Sequence, residues 1–80
     1  YTMFPEIASR NNINSLSTIQ FKVDKSGNVK DYRIINAPHN CQECMEKIKE
    51  VIQKARFIPA VKNGMPIEGR GMLIVYFIPD

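Results

Sequence analysis

One short run in this 80-residue chain has the residue types and spacing for local chemistry: His39-Asn40-Cys41-Gln42-Glu43-Cys44. Cys41 and Cys44 stand three positions apart, about one helical turn, near the usual Cα span of a disulfide. Four chemistries fit. A disulfide would pin the start of a helix, and its short loop is worth only about 2 kcal/mol, too little to hold a fold. Free thiols, packed or partly exposed, need no partner at all. A thiol-redox site needs a thiolate of lowered pKa, which a helix N-terminus favours, but the βαβ pattern of thioredoxin-like chains is missing. A metal would use His39, Cys41 and Cys44, yet structural zinc wants four ligands. The chain has no other His or Cys, so a carboxylate or a second chain would have to complete the set.

Nothing else in the sequence assembles a reaction. His39 is the only histidine, and its neighbours make no triad pattern. His39 also precedes the cysteines, the wrong order for haem attachment. Glu43, Glu46 and Glu50 are interleaved with lysines, as on a solvated helix face. Gly69-x-Gly71 leads into a strand pattern rather than a helix, so it is no phosphate loop. The net charge of +3 is mild and compels no anionic partner. Tyr32, Tyr76 and Phe77 lack the flanking basic clusters of a base-stacking platform. A non-enzymatic chain is expected, with no cofactor, no metal and no nucleic-acid partner.

The elements that would position these residues follow from periodicity. Phe4 to Asn12 is a short helix: Pro5 suits the first helical position, Glu6 the first turn, and Asn11-Asn12 a left-handed exit. Ile13 to Val23 switches to period two, with Ile19, Phe21 and Val23 on one face. Asp24 to Asn28 is a turn with Gly27 available for positive φ. Val29 to Ile35 returns as the second strand of a hairpin. Val29 and Tyr32 are three apart, so a β-bulge near Lys30-Asp31 is expected. Cys41 to Arg56 is a helix whose stripe is Met45, Ile48, Val51, Ile52 and Ala55. Phe57 to Val61 is an extended link, and Lys62 to Pro66 turns around Asn63-Gly64.

The last run, Gly71-Met72-Leu73-Ile74-Val75-Tyr76-Phe77-Ile78, is a strand apolar on both parities. A strand with one wet face should alternate. The expected architecture is α+β and two-layered. A three-stranded antiparallel sheet, in the order second-first-third, carries the short N-terminal helix and the long helix on one face. Residues 1–80 form a single domain in this reading. The order places Gly71 to Phe77 at a free edge, and a bare apolar edge is an interaction site or a liability. It suits recognition of an extended peptide by strand addition. No stretch approaches the roughly 20 apolar residues of a membrane helix, and the start shows no signal-peptide pattern. Position 1 is not Met, so an excised domain with an upstream anchor is expected.

The ordered set of pieces also resembles a known family. It comprises Phe4-Pro5-Glu6-Ile7-Ala8, Ile19-x-Phe21-x-Val23-Asp24, Gly27-x-Val29-x-Asp31, Lys54-Ala55-Arg56-Phe57-x-Pro59-Ala60, Asn63-Gly64-x-Pro66-Ile67 and the final apolar strand. Together they resemble the C-terminal domain of TonB energy transducers over nearly the whole chain. Ser15 stands where the family usually has Gly, Ala55 where it often has Trp, and the Cys41/Cys44 pair is not part of the pattern. The resemblance implies a periplasmic domain held to the inner membrane through an upstream segment and a Pro-rich spacer. It implies TonB-dependent outer-membrane transporters as partners, gripped at the TonB-box peptide by strand addition for active uptake. It further implies ion-motive inner-membrane partners acting on the upstream anchor, and homodimers formed through the same edge. A scaffolding domain of another envelope or signalling protein and, less well supported, a Cys-x-x-Cys redox module are the alternatives.

Overall fold

The computed structural model describes residues 2–80. Its elements in order are β1 (Thr2–Met3), α1 (Pro5–Asn11), β2 (Ser15–Val23), β3 (Val29–Ile35), α2 (Gln42–Lys54), β4 (Ala60–Lys62), β5 (Met65–Ile67) and β6 (Gly69–Phe77). The fold is α+β. A four-stranded sheet runs in the order β1-β6-β2-β3, and β4 and β5 make a separate two-stranded sheet.

Most of the sheet follows the period-two pattern. β2 is central, antiparallel to β3 on one side and to β6 on the other. The register with β3 shifts between Gln20 and Lys22, where Asp31 adopts φ 45. That is the bulge the Val29/Tyr32 slip required, and it twists the β3 edge. Ile19, Phe21 and Val23 pack with Val75 and Phe77 against Ile7 and Ala8 of α1 and Ile48 and Ile52 of α2. Both helices thus cover one face and leave the other bare.

Helix limits are set by local chemistry. Pro5 occupies the first turn of α1, and Asn12 ends it at φ 54, its amide reaching back to Ala8 and Ser9. α2 begins one residue later than expected because Cys41 is its N-cap. Its Sγ accepts from the Cys44 amide at 3.1 Å.

The expected three-stranded, wholly antiparallel sheet is corrected in three ways. The first is β1, which pairs parallel with β6, Thr2 beside Val75 and Met3 beside Tyr76. The C-terminal strand is therefore an inner strand at its far end and an edge only at its near end. The second is the stretch around Asn63-Gly64, which is a hairpin, β4 with β5, rather than a link and a turn. Asn63 and Gly64 both have positive φ, as a two-residue hairpin turn requires. The third is that β6 starts at Gly69, not Gly71, and stops at Phe77.

Cys41 and Cys44 are joined by a disulfide, with Cα atoms 5.2 Å apart. Both are buried, at 3% and 0% exposure. Cys44 continues the Ile48–Ile52 stripe and is a core residue. Opening the bridge, by reduction or by replacing both cysteines with alanine, is expected to lower the unfolding free energy by about 2 kcal/mol in urea melts. An unchanged midpoint would mean that packing alone fixes the start of α2.

The helix pair is also tied at its surface. Glu43 on α2 accepts from Arg10 and from Asn11 Nδ2 (2.8 Å) on α1. The Arg10 hydrogen bond, then that of Asn11, holds the Glu43 carboxyl below its usual range. The Asn28 amide does the same most strongly for Asp24 in the hairpin turn. A depressed folded pKa stabilises above the ordinary carboxylate pKa, and the gain is lost as pH falls through the folded value. Stability is therefore expected to hold on acidification to about pH 5 and then decline. In E43Q the decline should be shallower, as read by thermal melts across pH.

Candidate functional site

A strand presents its backbone groups alternately to its two neighbours. The Phe4 amide donates to the Tyr76 carbonyl at 2.9 Å, so Tyr76 turns its backbone toward β1. Counting back by two, Ile74, Met72 and Arg70 face the same way. Gly71, Leu73, Val75 and Phe77 face β2, opposite Phe21, Ile19, Ser17 and Ser15. β1 covers only Val75 and Tyr76. Among the described residues no strand pairs with the outer side of Gly69 to Leu73, where the N–H and C=O groups of Arg70 and Met72 point.

The side chains sort by the same parity. Leu73, Val75 and Phe77 lie on the helix face, in or against the core. Met72, Ile74 and Tyr76 lie on the bare face, and Met72 is 62% exposed. On the helix side of this edge runs a groove of about 380 Å³ between β6 and α2, with Phe4, Val51, Ala55, Phe57 and Leu73 on its walls. Lys47, Glu50, Lys54 and Arg56 rim it. Glu50 bridges Lys47 at 3.4 Å and Lys54 at 3.1 Å, and Lys47 Nζ lies 5.3 Å from the Phe4 ring centre. The Glu50 carboxyl is held low by the Lys54 hydrogen bond first and by that of Lys47 next. The rim keeps a cationic excess.

The edge is a strand template with an apolar groove at its side. An extended segment laid against it would meet unpaired donors and acceptors, and every second side chain would enter the groove. The opposite edge of the sheet offers no such template. β3 carries the bulge and exposes Lys30 and Arg33, devices that discourage pairing.

Gly71 to Phe77 were the expected site residues. Among the described residues no strand lies at the outer side of Gly71 to Leu73, and Val75 and Tyr76 lie beside β1. Gly69 and Arg70 extend the open stretch upstream. The groove residues Phe4, Val51, Ala55 and Phe57 went unassigned. Their one sequence signal is that Val51 and Ala55 are a turn apart at the margin of the α2 stripe. The cysteine run contributes no site: its sulfurs are bonded to each other and buried, and His39 is exposed on the loop before them. No described helix is long and apolar enough to cross a membrane.

Comparison with known proteins bears on the chain as a whole. The model of the family described as Gram-negative bacterial TonB protein C-terminal matches residues 1–79. No curated protein matches the chain.

Proposed function

The chain belongs to the Gram-negative TonB C-terminal family, and from that membership we propose that it binds an extended peptide along the outer side of Gly69 to Leu73. The peptide is the TonB box of an outer-membrane transporter. The domain works in the periplasm, tethered to the inner membrane by an upstream segment on which the ion-motive partners act. It passes force to the transporter through the added strand. The observation that carries this reading is the outer side of Gly69 to Leu73, which no described strand pairs, beside an apolar groove. Main-chain bonds supply affinity with little demand on sequence, and alternate side chains supply selectivity. One set enters the groove between Leu73 and Val51. The other set lies over Met72 and Ile74 on the bare face. A pulled strand pair also loads several backbone bonds together, which suits force transmission.

The same edge gives the domain a way to pair with a second copy of itself. A peptide that takes the edge should dissolve such a dimer.

Backbone chemistry tests the proposal. A TonB-box peptide should bind in calorimetry. A copy with N-methyl groups on the alternate amides that face β6 should bind at least roughly tenfold more weakly, since each lost bond costs about 1 kcal/mol and the methyl blocks approach. Equal binding of both peptides would rule out strand addition.

A further inference from the structure

We propose that the bare face of the sheet is a second binding surface, a docking site for an anionic lipid. It adjoins the β6 edge, with which it shares Arg70 and Met72, and does not rest on the peptide reading.

The register assembles this face in rows across the strands. The first row is Lys30, Lys22 and Arg70, each directly opposite the next. The second is Arg33, Gln20 and Met72, the third Ile35, Thr18 and Ile74. The fourth is Leu16 and Tyr76 with Met3. Like charges directly across a strand pair destabilise a sheet, and here three cations stand in line. Among the described residues none of Lys22, Lys30, Arg33 and Arg70 joins an ion pair. Asp31, on the bulge, is the carboxylate that lines the face, and Asp24 in the hairpin turn lies within electrostatic reach of Lys30. Arg33 donates to the Gln20 side chain at 3.0 Å, which holds its guanidinium on this face.

A hollow of about 560 Å³ opens over these rows, lined by Lys22, Arg33, Arg70, Asp31, Gln20 and Met72 together with the Phe21 and Gly71 positions. Its size suits a small ligand group. From its Met72 wall the face turns apolar and stays so for two further rows. Two residues along a strand advance about 6.6 Å, so the four rows span about 20 Å. Cations at one end and exposed Met72, Leu16 and Met3 toward the other (62%, 40% and 49% exposed) match an anionic head group with an apolar chain. Basic residues with adjoining apolar and tyrosine side chains are also the composition of interfacial membrane contacts. An acidic protein segment would satisfy the cations, but the hollow opening directly onto the apolar rows favours a head group with its chain.

Monomeric dihexanoyl phosphatidylglycerol is the probe, followed by amide shifts in the isotope-labelled protein. Shifts are expected at Gln20 and Lys22 on β2 and at Arg33 on β3, one and two strands inward from the open side of β6. Dihexanoyl phosphatidylcholine and glycerol phosphate should each bind far more weakly. K22E should fold at least as well as the parent, since it relieves like-charge contacts, and should weaken lipid binding roughly tenfold. Equal binding of the neutral lipid, equal binding of the bare head group, unchanged affinity in K22E, or shifts confined to Gly69–Leu73 would each overturn the proposal. Tighter binding of a glutamate-rich peptide at the same amides would reassign the face to a protein partner.

Discussion

Alanine at Gly27 is expected to lower the unfolding free energy by roughly 3 kcal/mol, more than any other single methyl added to a turn of this chain. Gly27 has φ +87, and a Cβ there would lie 2.2 Å from the carbonyl oxygen of Phe57. That oxygen is backbone and cannot rotate away. The Phe57 amide also donates to the Gly27 carbonyl at 3.0 Å, and the Phe57 ring lies 4.8 Å from that of Phe21. Three losses add. A left-handed conformation costs a Cβ-bearing residue about 1–2 kcal/mol. The displaced hydrogen bond costs about 1 kcal/mol. The ring pair is then pulled apart at the end of the groove. Gly64 is the internal control: its φ is +77, but nothing lies within 4 Å of its added Cβ. Gly64→Ala should cost only the conformational term, roughly 1–2 kcal/mol. Equal losses in the two variants, measured by urea unfolding, would show that the approach of Phe57 contributes nothing.

Proline at two adjacent positions of β6 is expected to give opposite results. The Leu73 amide faces β2, in register with Ile19. Leu73→Pro removes a ladder bond between two paired strands and should cost roughly 3 kcal/mol or more, enough to unfold most of a marginal small domain. The Met72 amide faces outward. Met72→Pro sits where prolines are tolerated, on the open side of an edge, and should lower the thermal midpoint only slightly. Its ring would occupy the place of an incoming strand, so peptide affinity should fall tenfold or more while the fold persists. Retained affinity in a folded Met72→Pro variant would move the peptide off this edge.

The sequence carried the hairpin, the bulge and the two helices because each leaves a local mark. Ile19, Phe21 and Val23 alternate, Val29 and Tyr32 slip by one, and Pro5 and Asn12 bracket a helix. β1 leaves none. Two residues have no periodicity, and their partner lies more than seventy positions away, so the edge looked wholly free. β4 and β5 were hidden for a related reason: Pro66 reads as a turn residue, yet a short strand at the edge of a two-stranded sheet tolerates it. The anomaly of a strand apolar on both faces was legible, but which face met the helices was not. That choice belongs to the pairing of Leu73 with Ile19, a long-range register. Cys44 was weighed as chemistry, and its place in the core followed from the helix phase it shares with Ile48. The groove left only the Val51/Ala55 spacing as a mark, since Phe4, the stretch from Val51 to Phe57, and Leu73 come from three separate parts of the chain.

Strand addition at β6 depends on one alternation of its backbone, and amide hydrogen exchange reads that alternation residue by residue. In the free protein the amides of Gly71 and Leu73, bonded to β2, should exchange slowly, and those of Arg70 and Met72 quickly. With a TonB-box peptide at millimolar concentration, Arg70 and Met72 should become protected while Gly71 and Leu73 change little. Unchanged exchange at Arg70 and Met72 in the presence of bound peptide would contradict strand addition at this edge.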